Sequence, residues 1–177
     1  VGCLGLCAYA PVAIIEPQGI FYGRIKSKDI EEIVEKTICK DEIVHRLTYL
    51  DPLTKSRIGL VSEIPFYKAQ KRIVLNNCGR ISPLEIRDYL EQDGYQALRK
   101  ALLKMQPQEV ISKIKKSGLR GRGGAGFPTG LKWELVSKQK SALKYVIANG
   151  DEGDPGAFMD RAILEGDPHS VLEGMLI

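Results

Sequence analysis

The sequence predicts an α/β fold, and three observations support that prediction. Residues 11–24 hold two apolar runs around Pro17-Gln18-Gly19, a turn signal typical of a hairpin. Several later segments repeat apolar residues at helical spacing. Residues 144–149 form an apolar run that predicts a buried strand, and an acidic turn at residues 151–156 follows it. With 44% apolar and 27% charged residues, the 177-residue chain can support a packed core.

Local signals place the elements of the first half of the chain. Two strands are predicted at residues 11–16 and 20–24. Ser27 can cap a helix that closes a small unit near residue 38. Residues 41–64 show little periodicity, so we expect an extended connection there, with one strand at residues 43–49.

The second half is predicted to be mostly helical. A hydroxyl at Ser82, proline at position 83 and Glu85 form a capping box, which predicts a helix that begins at Pro83. The other predicted elements are a strand at residues 72–75, helices after Gly94 and from Pro107 to Gly118, a short helix near residues 131–135, and helices near 159–165 and 168–177.

Charge and hydropathy narrow the functional class. The net charge of +4 suits phosphate-bearing ligands but does not require nucleic-acid binding. No apolar run approaches the roughly 20 residues of a membrane span. The sequence begins without Met, in mid-motif and without a signal peptide, so we expect a piece of a longer protein. Four cysteines without a leader are typical of a reducing compartment, which predicts a cytoplasmic protein.

The glycine-rich segment at residues 118–130 carries the strongest chemical signal. Glycines allow close backbone approach and positive φ, so Gly121, Gly123 and Gly126 can direct N–H groups at a phosphate. They match the G-x-G-x-x-G spacing, but the segment follows a predicted helix where the usual dinucleotide motif follows a strand. A P-loop is excluded because no Gly-Lys-Ser/Thr ends the run. A phosphate-binding loop and a flexible surface loop both remain open.

The acidic turn allows two interpretations as well. Residues 149–156 deliver one amide and three carboxylates to the end of the predicted strand, where open α/β sheets bind ligands. The alternative is a solvated turn that caps the next helix. A calcium loop is disfavoured because the alternating acidic spacing of an EF-hand is absent.

The cysteines give a weaker signal. Cys3 and Cys7 are separated by three residues, and two thiolates can supply half of a four-cysteine [2Fe-2S] ligand set. Isolated thiols and imidazoles are more often packing or surface residues than ligands, and we interpret four residues in this way: Cys39, Cys78, His45 and His169.

Two dense motifs resemble the FMN and NADH site of the flavoprotein subunit of complex I: SGLRGRGGAGFPTGLKW at residues 117–133 and NGDEGDPGAFMDR at residues 149–161. The start of the chain, CLGLC at residues 3–7 followed by Ala10-Pro11-Val12, resembles the second cysteine pair of a thioredoxin-like [2Fe-2S] ferredoxin. This order of domains, together with Asp154, is similar to the beta-type subunits of NAD(P)-linked [FeFe]-hydrogenases.

The resemblance implies a fold, a domain division and a set of site residues. The fold would be the C-terminal part of a thioredoxin-like domain at residues 1–40, a linker at 41–64, and the first part of a Rossmann-like FMN/NADH-binding domain at 65–177. No side chain is implied to be catalytic. The implied FMN-binding residues are Gly121, Arg122, Gly123, Gly124, Lys132, Asn149 and Asp151. The implied NADH-binding residues are Phe127, Glu152 and Asp154, and the implied [2Fe-2S] ligands are Cys3 and Cys7.

The implied activity is hydride transfer between NADH and FMN, with one-electron relay to iron-sulfur clusters. The resemblance implies [4Fe-4S] ligation in a C-terminal part beyond these residues. It implies as partners the other subunits of a hydrogenase or NADH dehydrogenase complex, including a small [2Fe-2S] subunit and a large iron-sulfur subunit. We expect the 177 residues alone to be unstable and inactive. The alternatives are the diaphorase subunit of an NAD-dependent formate dehydrogenase and a non-catalytic interaction module that has lost flavin binding.

Overall fold

The computed structural model describes residues 5–177, which divide into two compact units. The first unit ends at Ile73, and the second runs from Val74 to Ile177. Both helices and small sheets are present, which agrees with the α/β class in its coarse sense. The predicted division into residues 1–40, 41–64 and 65–177 concerns domain families, and it stays a prediction.

The first unit combines two small antiparallel sheets with short helices. Its strands are β1 (Val12–Ile15), β2 (Ile20–Gly23), β3 (Tyr49–Leu50) and β4 (Arg57–Ile58), and its α-helices are α1 (Ile30–Ile33) and α2 (Pro65–Lys68). The β1–β2 pairing confirms the predicted hairpin, with Ile15 opposite Ile20. Helix α1 continues as a π-helix over Val34–Ile38, so the predicted helix is confirmed.

Apolar side chains of the hairpin and the helix form the core of the first unit. One buried cluster consists of Ile20, Tyr22, Ile33, Val44 and Leu47. The Tyr22 hydroxyl lies 2.6 Å from the Thr37 hydroxyl and accepts a hydrogen bond from the Val44 N–H at 2.9 Å. Because this hydroxyl joins strand, helix and following loop, the polar group is satisfied inside the core.

Residues 41–64 are more compact than an extended connection, and the strand predicted at residues 43–49 is wrong in its extent. A 3₁₀ turn occupies His45–Leu47, and only Tyr49–Leu50 pair with β4. Leu47 and Tyr49 are buried, because the turn directs these apolar side chains into the core of the first unit. Apolar content indicated burial here but could not distinguish a turn from a strand.

The second unit is helical in its described residues. Its helices are α3 (Ile86–Glu91), α4 (Gln96–Lys104), α5 (Pro107–Ser117), α6 (Thr129–Ser137), α7 (Met159–Gly166) and α8 (Pro168–Leu176). Every predicted helix after Gly94 is confirmed. Helix α5 follows the local rules closely, with Pro107 at its first position, a capping box between Gln106 and Glu109, and Gly118 at φ 68° after its end.

Three predictions in this unit are wrong. Residues 72–75 form bends and turns and no strand. The helix predicted from Pro83 begins at Ile86, because residues 82–85 form a turn and the Asp88 carboxylate accepts the Ser82 N–H at 2.8 Å. Residues 144–149 are exposed and form no strand, since no strand of the described residues lies beside them to pair with their backbone.

A buried carboxylate on α8 connects three helices of the second unit. Glu173 is 8% exposed and accepts hydrogen bonds from the Tyr89 hydroxyl at 2.6 Å, the Tyr95 N–H at 2.9 Å and the Leu98 N–H at 3.0 Å. The two N–H groups belong to the start of α4, whose free donors a carboxylate satisfies. Glu173 therefore anchors the start of α4 and the end of α3 to α8.

No helix within residues 5–177 combines the length and the apolar character needed to cross a membrane.

Candidate functional site

Two helices hold the glycine-rich loop at a closed base. Helix α5 ends at Ser117, and an antiparallel bridge joins Arg120 to Pro128 before α6 begins. The Thr129 N–H donates to the Leu119 carbonyl at 2.9 Å, and a second backbone hydrogen bond of 2.9 Å joins the Gly121 N–H to the Phe127 carbonyl. The loop therefore projects from a fixed stem, and the prediction of a loop between these helices is confirmed.

The loop presents unpaired backbone donors. The N–H groups of Arg122, Gly123 and Gly124 donate no hydrogen bond to any of the residues 5–177, and all three residues are exposed. A Cβ built on Gly123 or Gly124 has no atom within 4 Å, so space beside the backbone is open. Gly124, at φ 104°, has a conformation that side chains rarely adopt. Free donors beside open space fit a phosphate group.

A close helix contact supports the stem of the loop. Gly130 is buried, and a Cβ placed on it would lie 2.5 Å from the Lys115 backbone nitrogen. The Lys115 ammonium lies 3.1 Å from the Glu134 carboxylate on α6, and Lys138 approaches the same carboxylate at 3.5 Å. These contacts lower the pKa of Glu134, with the hydrogen bond from Lys115 as the largest cause. Helices α5 and α6 thus form one hairpin that carries the loop.

Two further predicted residues lie on this hairpin. Lys132 is exposed on the first turns of α6, and its side chain forms no ion pair within the described part of the chain. Phe127 closes the loop with 46% of its surface exposed. An exposed cation and an exposed ring beside free N–H donors are available to a ligand.

The acidic turn caps the helix that follows it. The Glu152 carboxylate accepts the Asp160 N–H at 2.8 Å and the Arg161 N–H at 3.0 Å, at the start of α7. The hydrogen bond from Arg161, joined by those from Asp160 and Met159, outweighs partial burial and holds the pKa of Glu152 below its ordinary range. Glu152 itself has a φ of 47°. The helix-capping alternative is therefore confirmed for Glu152, and its role toward NADH stays a prediction.

The other polar groups of the turn are exposed. The Asn149 side-chain oxygen accepts the Asp151 N–H at 2.9 Å, which shapes the entry to the turn. Asp151 and Asp154 are exposed, and Asp154 has no hydrogen bond or ion pair from its side chain to the described residues. Their carboxylates are open to solvent and can face a bound ligand.

A cavity of about 410 Å³ lies beside the turn. It is lined by Gly150, Asp151, Glu152, Ala157, Phe158, Arg161, Leu164 and Glu165. The structure thus brings two predicted residues, Asp151 and Glu152, to one cavity, whereas the predicted residues of the glycine loop do not line it. Sequence reasoning missed the α7 contribution, for which the only local signal was the Arg161–Glu165 pair at helical spacing, 2.9 Å apart.

The cysteine prediction is only partly visible. Cys3 lies outside the described residues, and Cys7 is exposed in the 3₁₀ turn Cys7–Tyr9. Within residues 5–177 no three side chains of His, Cys, Asp or Glu come together as a metal site. The packing interpretation is confirmed for Cys78, which is buried, and for His169, which stacks on Tyr89.

With this geometry established, comparison with known proteins is informative. Residues 114–177, which contain the loop, α6 and the acidic turn, match the family model of the Nuo51 FMN-binding domain. The resemblance to the complex I flavoprotein is confirmed. The Nuo51 match begins inside α5 and extends to the end of α8, so it includes both halves of the candidate site.

Curated relatives agree with the Nuo51 match. The NADP-reducing hydrogenase subunit HndC of Solidesulfovibrio fructosivorans is 57% identical over 110 residues, which are 62% of this chain and 22% of that protein. The NADH-quinone oxidoreductase F 2 subunit of Rhizobium meliloti (strain 1021) is 55% identical over 84 residues, 48% of this chain and 20% of the relative. The NADH-quinone oxidoreductase F subunit of Escherichia coli (strain K12) is 46% identical over 96 residues, 54% of this chain and 22% of the relative. The chain thus spans about a fifth of the length of these relatives.

Proposed function

We propose that this chain is part of an NAD(P)H-oxidising flavoprotein subunit of the complex I or hydrogenase type. The observation that carries the proposal is the set of free N–H groups at residues 122–124, which lies inside the segment that matches the Nuo51 FMN-binding domain. FMN, when bound, accepts a hydride from the nicotinamide of NADH and passes electrons on singly. The hydrogenase type is favoured because the 57% identical relative is an NADP-reducing hydrogenase subunit.

The residues of this chain would bind and orient the two nucleotides. Backbone donors at Gly123 and Gly124 would hold the FMN phosphate, because N–H groups beside open space suit an anion. The exposed ammonium of Lys132 would neutralise charge near the flavin. Asn149 and Asp151 would hydrogen bond the flavin from the acidic turn, and the other predicted residues keep their roles within the proposal: Gly121 and Arg122 toward FMN, and Phe127, Glu152 and Asp154 toward NADH.

Substitution of Gly123 tests FMN binding without disturbing the fold. We expect Gly123→Ala in the intact protein to weaken FMN binding at least about tenfold, which corresponds to roughly 1.4 kcal/mol. A methyl group there meets no atom of the chain, so it would fill only the space proposed for the ligand. Lys132→Ala is expected to weaken binding by about 10- to 100-fold, because a charge-assisted hydrogen bond contributes roughly 1.5–3 kcal/mol. Fluorescence titration of the flavin-free protein with FMN measures both constants.

Matched controls separate binding from folding. Gly174 on α8 also has open space at its Cβ position, and Lys140 is an exposed lysine outside the proposed site. Gly174→Ala and Lys140→Ala should leave FMN affinity within about twofold. If the intact protein retains no flavin, or if the site and control variants bind FMN equally well, the proposal is wrong and the non-catalytic alternative gains support.

The finer parts of the proposal concern fold and electron relay. We propose a thioredoxin-like [2Fe-2S] domain at the start of the chain and a Rossmann-like FMN/NADH-binding domain that begins near residue 65. The exposed thiol of Cys7 supports the first, since a cluster ligand must be reachable. Relay to other iron-sulfur subunits, [4Fe-4S] ligation outside these residues and a cytoplasmic location rest on the resemblance and on cysteine usage.

Loss of one thiol tests the [2Fe-2S] assignment. In the intact protein, Cys7→Ser is expected to remove the electron paramagnetic resonance signal of one reduced [2Fe-2S] cluster, because thiolates are the ligands of such a cluster. Cys39→Ser, which also changes an exposed cysteine of the first unit, should leave that signal unchanged. An unaltered signal in Cys7→Ser, with its iron content intact, contradicts the assignment.

A further inference from the structure

The segment from α5 to Lys144 carries an unbalanced positive charge. Residues 107–144 contain nine basic side chains and two acidic ones, a net charge of +7 in a chain whose total is +4. The nine are all exposed: Lys113, Lys115, Lys116, Arg120, Arg122, Lys132, Lys138, Lys140 and Lys144. A solvated helix surface usually mixes both signs, so this composition needs an explanation.

The two acidic residues do not neutralise this segment. Glu134 is paired with Lys115 and Lys138, and Glu109 accepts the Gln106 N–H at 2.7 Å in the capping box of α5. The seven other basic side chains form no ion pair with the described residues. Their charge therefore extends into solvent, around the stem of the glycine loop.

The charge reverses sign directly after the segment. Residues 151–173 hold seven acidic side chains and one arginine. A strongly positive region next to the free N–H donors of the loop, followed in the chain by a negative one, favours approach of anions toward the loop.

We propose that the α5–α6 hairpin is an electrostatic approach surface that increases the association rate of anionic dinucleotides. This inference rests on the proposed function and adds the residues outside the binding loop, above all Lys113, Lys116 and Lys140. Association steered by charge falls steeply with ionic strength, whereas contacts in the bound state do not. NADPH carries one more phosphate than NADH, so its association rate gains more from the same surface.

The experiment compares charge removal with charge conservation in the intact, FMN-loaded protein. One variant combines Lys113→Gln, Lys116→Gln and Lys140→Gln, and its control carries arginine at the same three positions. Stopped-flow flavin absorbance gives the association rate constants of NADH and NADPH from about 10 mM to about 300 mM KCl, a range over which the Debye length falls from about 30 Å to below 8 Å.

The glutamine variant is expected to bind NADH about 3- to 10-fold more slowly at the lowest salt concentration, with a flatter salt dependence and a larger loss for NADPH. At the highest concentration it should match the wild type, and kcat and flavin content should not change. The arginine control should keep the wild-type salt dependence. Equal salt dependence in the two variants overturns the approach surface alone, whereas failure of the wild type to retain FMN or oxidise NADH overturns the proposed function and this inference together.

Discussion

Replacement of Glu173 by glutamine is expected to lower the free energy of unfolding of the second unit by roughly 3 kcal/mol, because buried donors lose a charged acceptor. The carboxylate accepts the Tyr89 hydroxyl and the N–H groups of Tyr95 and Leu98. An amide keeps the volume but offers one acceptor oxygen, and its NH₂ group faces donors. Hydrogen exchange of the amides of α4 in the intact protein measures the loss locally.

The same carboxylate gives the second unit a pH dependence. Burial would raise the pKa of Glu173, but the hydrogen bonds from Tyr89, Leu98, Tyr95 and Ala97 outweigh burial and hold the pKa below its ordinary value of 4.5. A carboxyl whose folded-state pKa is depressed stabilises the fold fully above its unfolded pKa. We therefore expect this stabilisation to be complete at neutral pH and to be lost as pH falls below about 4.5 through the folded-state pKa.

A second, exposed glutamate separates this effect from general charge removal. Glu91 on α3 is exposed, and its side chain has no partner among residues 5–177. Glu91→Gln should change the unfolding free energy by less than about 0.5 kcal/mol and should leave its acid dependence unaltered. If Glu173→Gln leaves exchange in α4 at the wild-type rate between neutral and acidic pH, the anchoring role is wrong.

Short-range signals explain what the sequence could predict. Pro107 at the start of α5 and Gly118 beyond its end define that helix within a dozen residues, and the Pro17-Gln18-Gly19 turn defines the β1–β2 hairpin. The glycine content of residues 118–130 indicated a loop open to phosphate. Composition could not show which N–H groups remain free, since that depends on the bond between Gly121 and Phe127 that closes the stem.

Long-range contacts explain what the sequence could not predict. Glu173 meets its partners across 75 to 84 positions in the chain, and no local pattern marks a glutamate as the cap of a helix so far away. Residues 144–149 show the converse case. Their apolar pattern predicted burial, yet Tyr145 is 79% and Ile147 83% exposed, because a strand is stabilised only by a neighbour that pairs with it.

The contact between α5 and α6 leads to the second large prediction. Gly130→Ala is expected to destabilise the hairpin by about 2–3 kcal/mol, because its Cβ would lie 2.5 Å from the nitrogen and 2.7 Å from the Cα of Lys115. Backbone atoms inside a helix cannot move aside as a side chain can, so α6 must shift away from α5. Hydrogen exchange of α5 and α6 measures the destabilisation. FMN titration should show at least about tenfold weaker binding, since the same helices hold the two ends of the loop.

Gly174→Ala is the matched control for a glycine inside a helix. That position has open space at the Cβ, so alanine should leave the unit as stable as before or more stable by up to about 1 kcal/mol through its higher helix propensity. Opposite signs at two helical glycines would show that close approach of backbones, and not helix propensity, is the reason for glycine at position 130. Normal FMN affinity and normal exchange in Gly130→Ala would mean that the stem of the loop does not depend on this contact, and the route from helix packing to flavin binding would have to be abandoned.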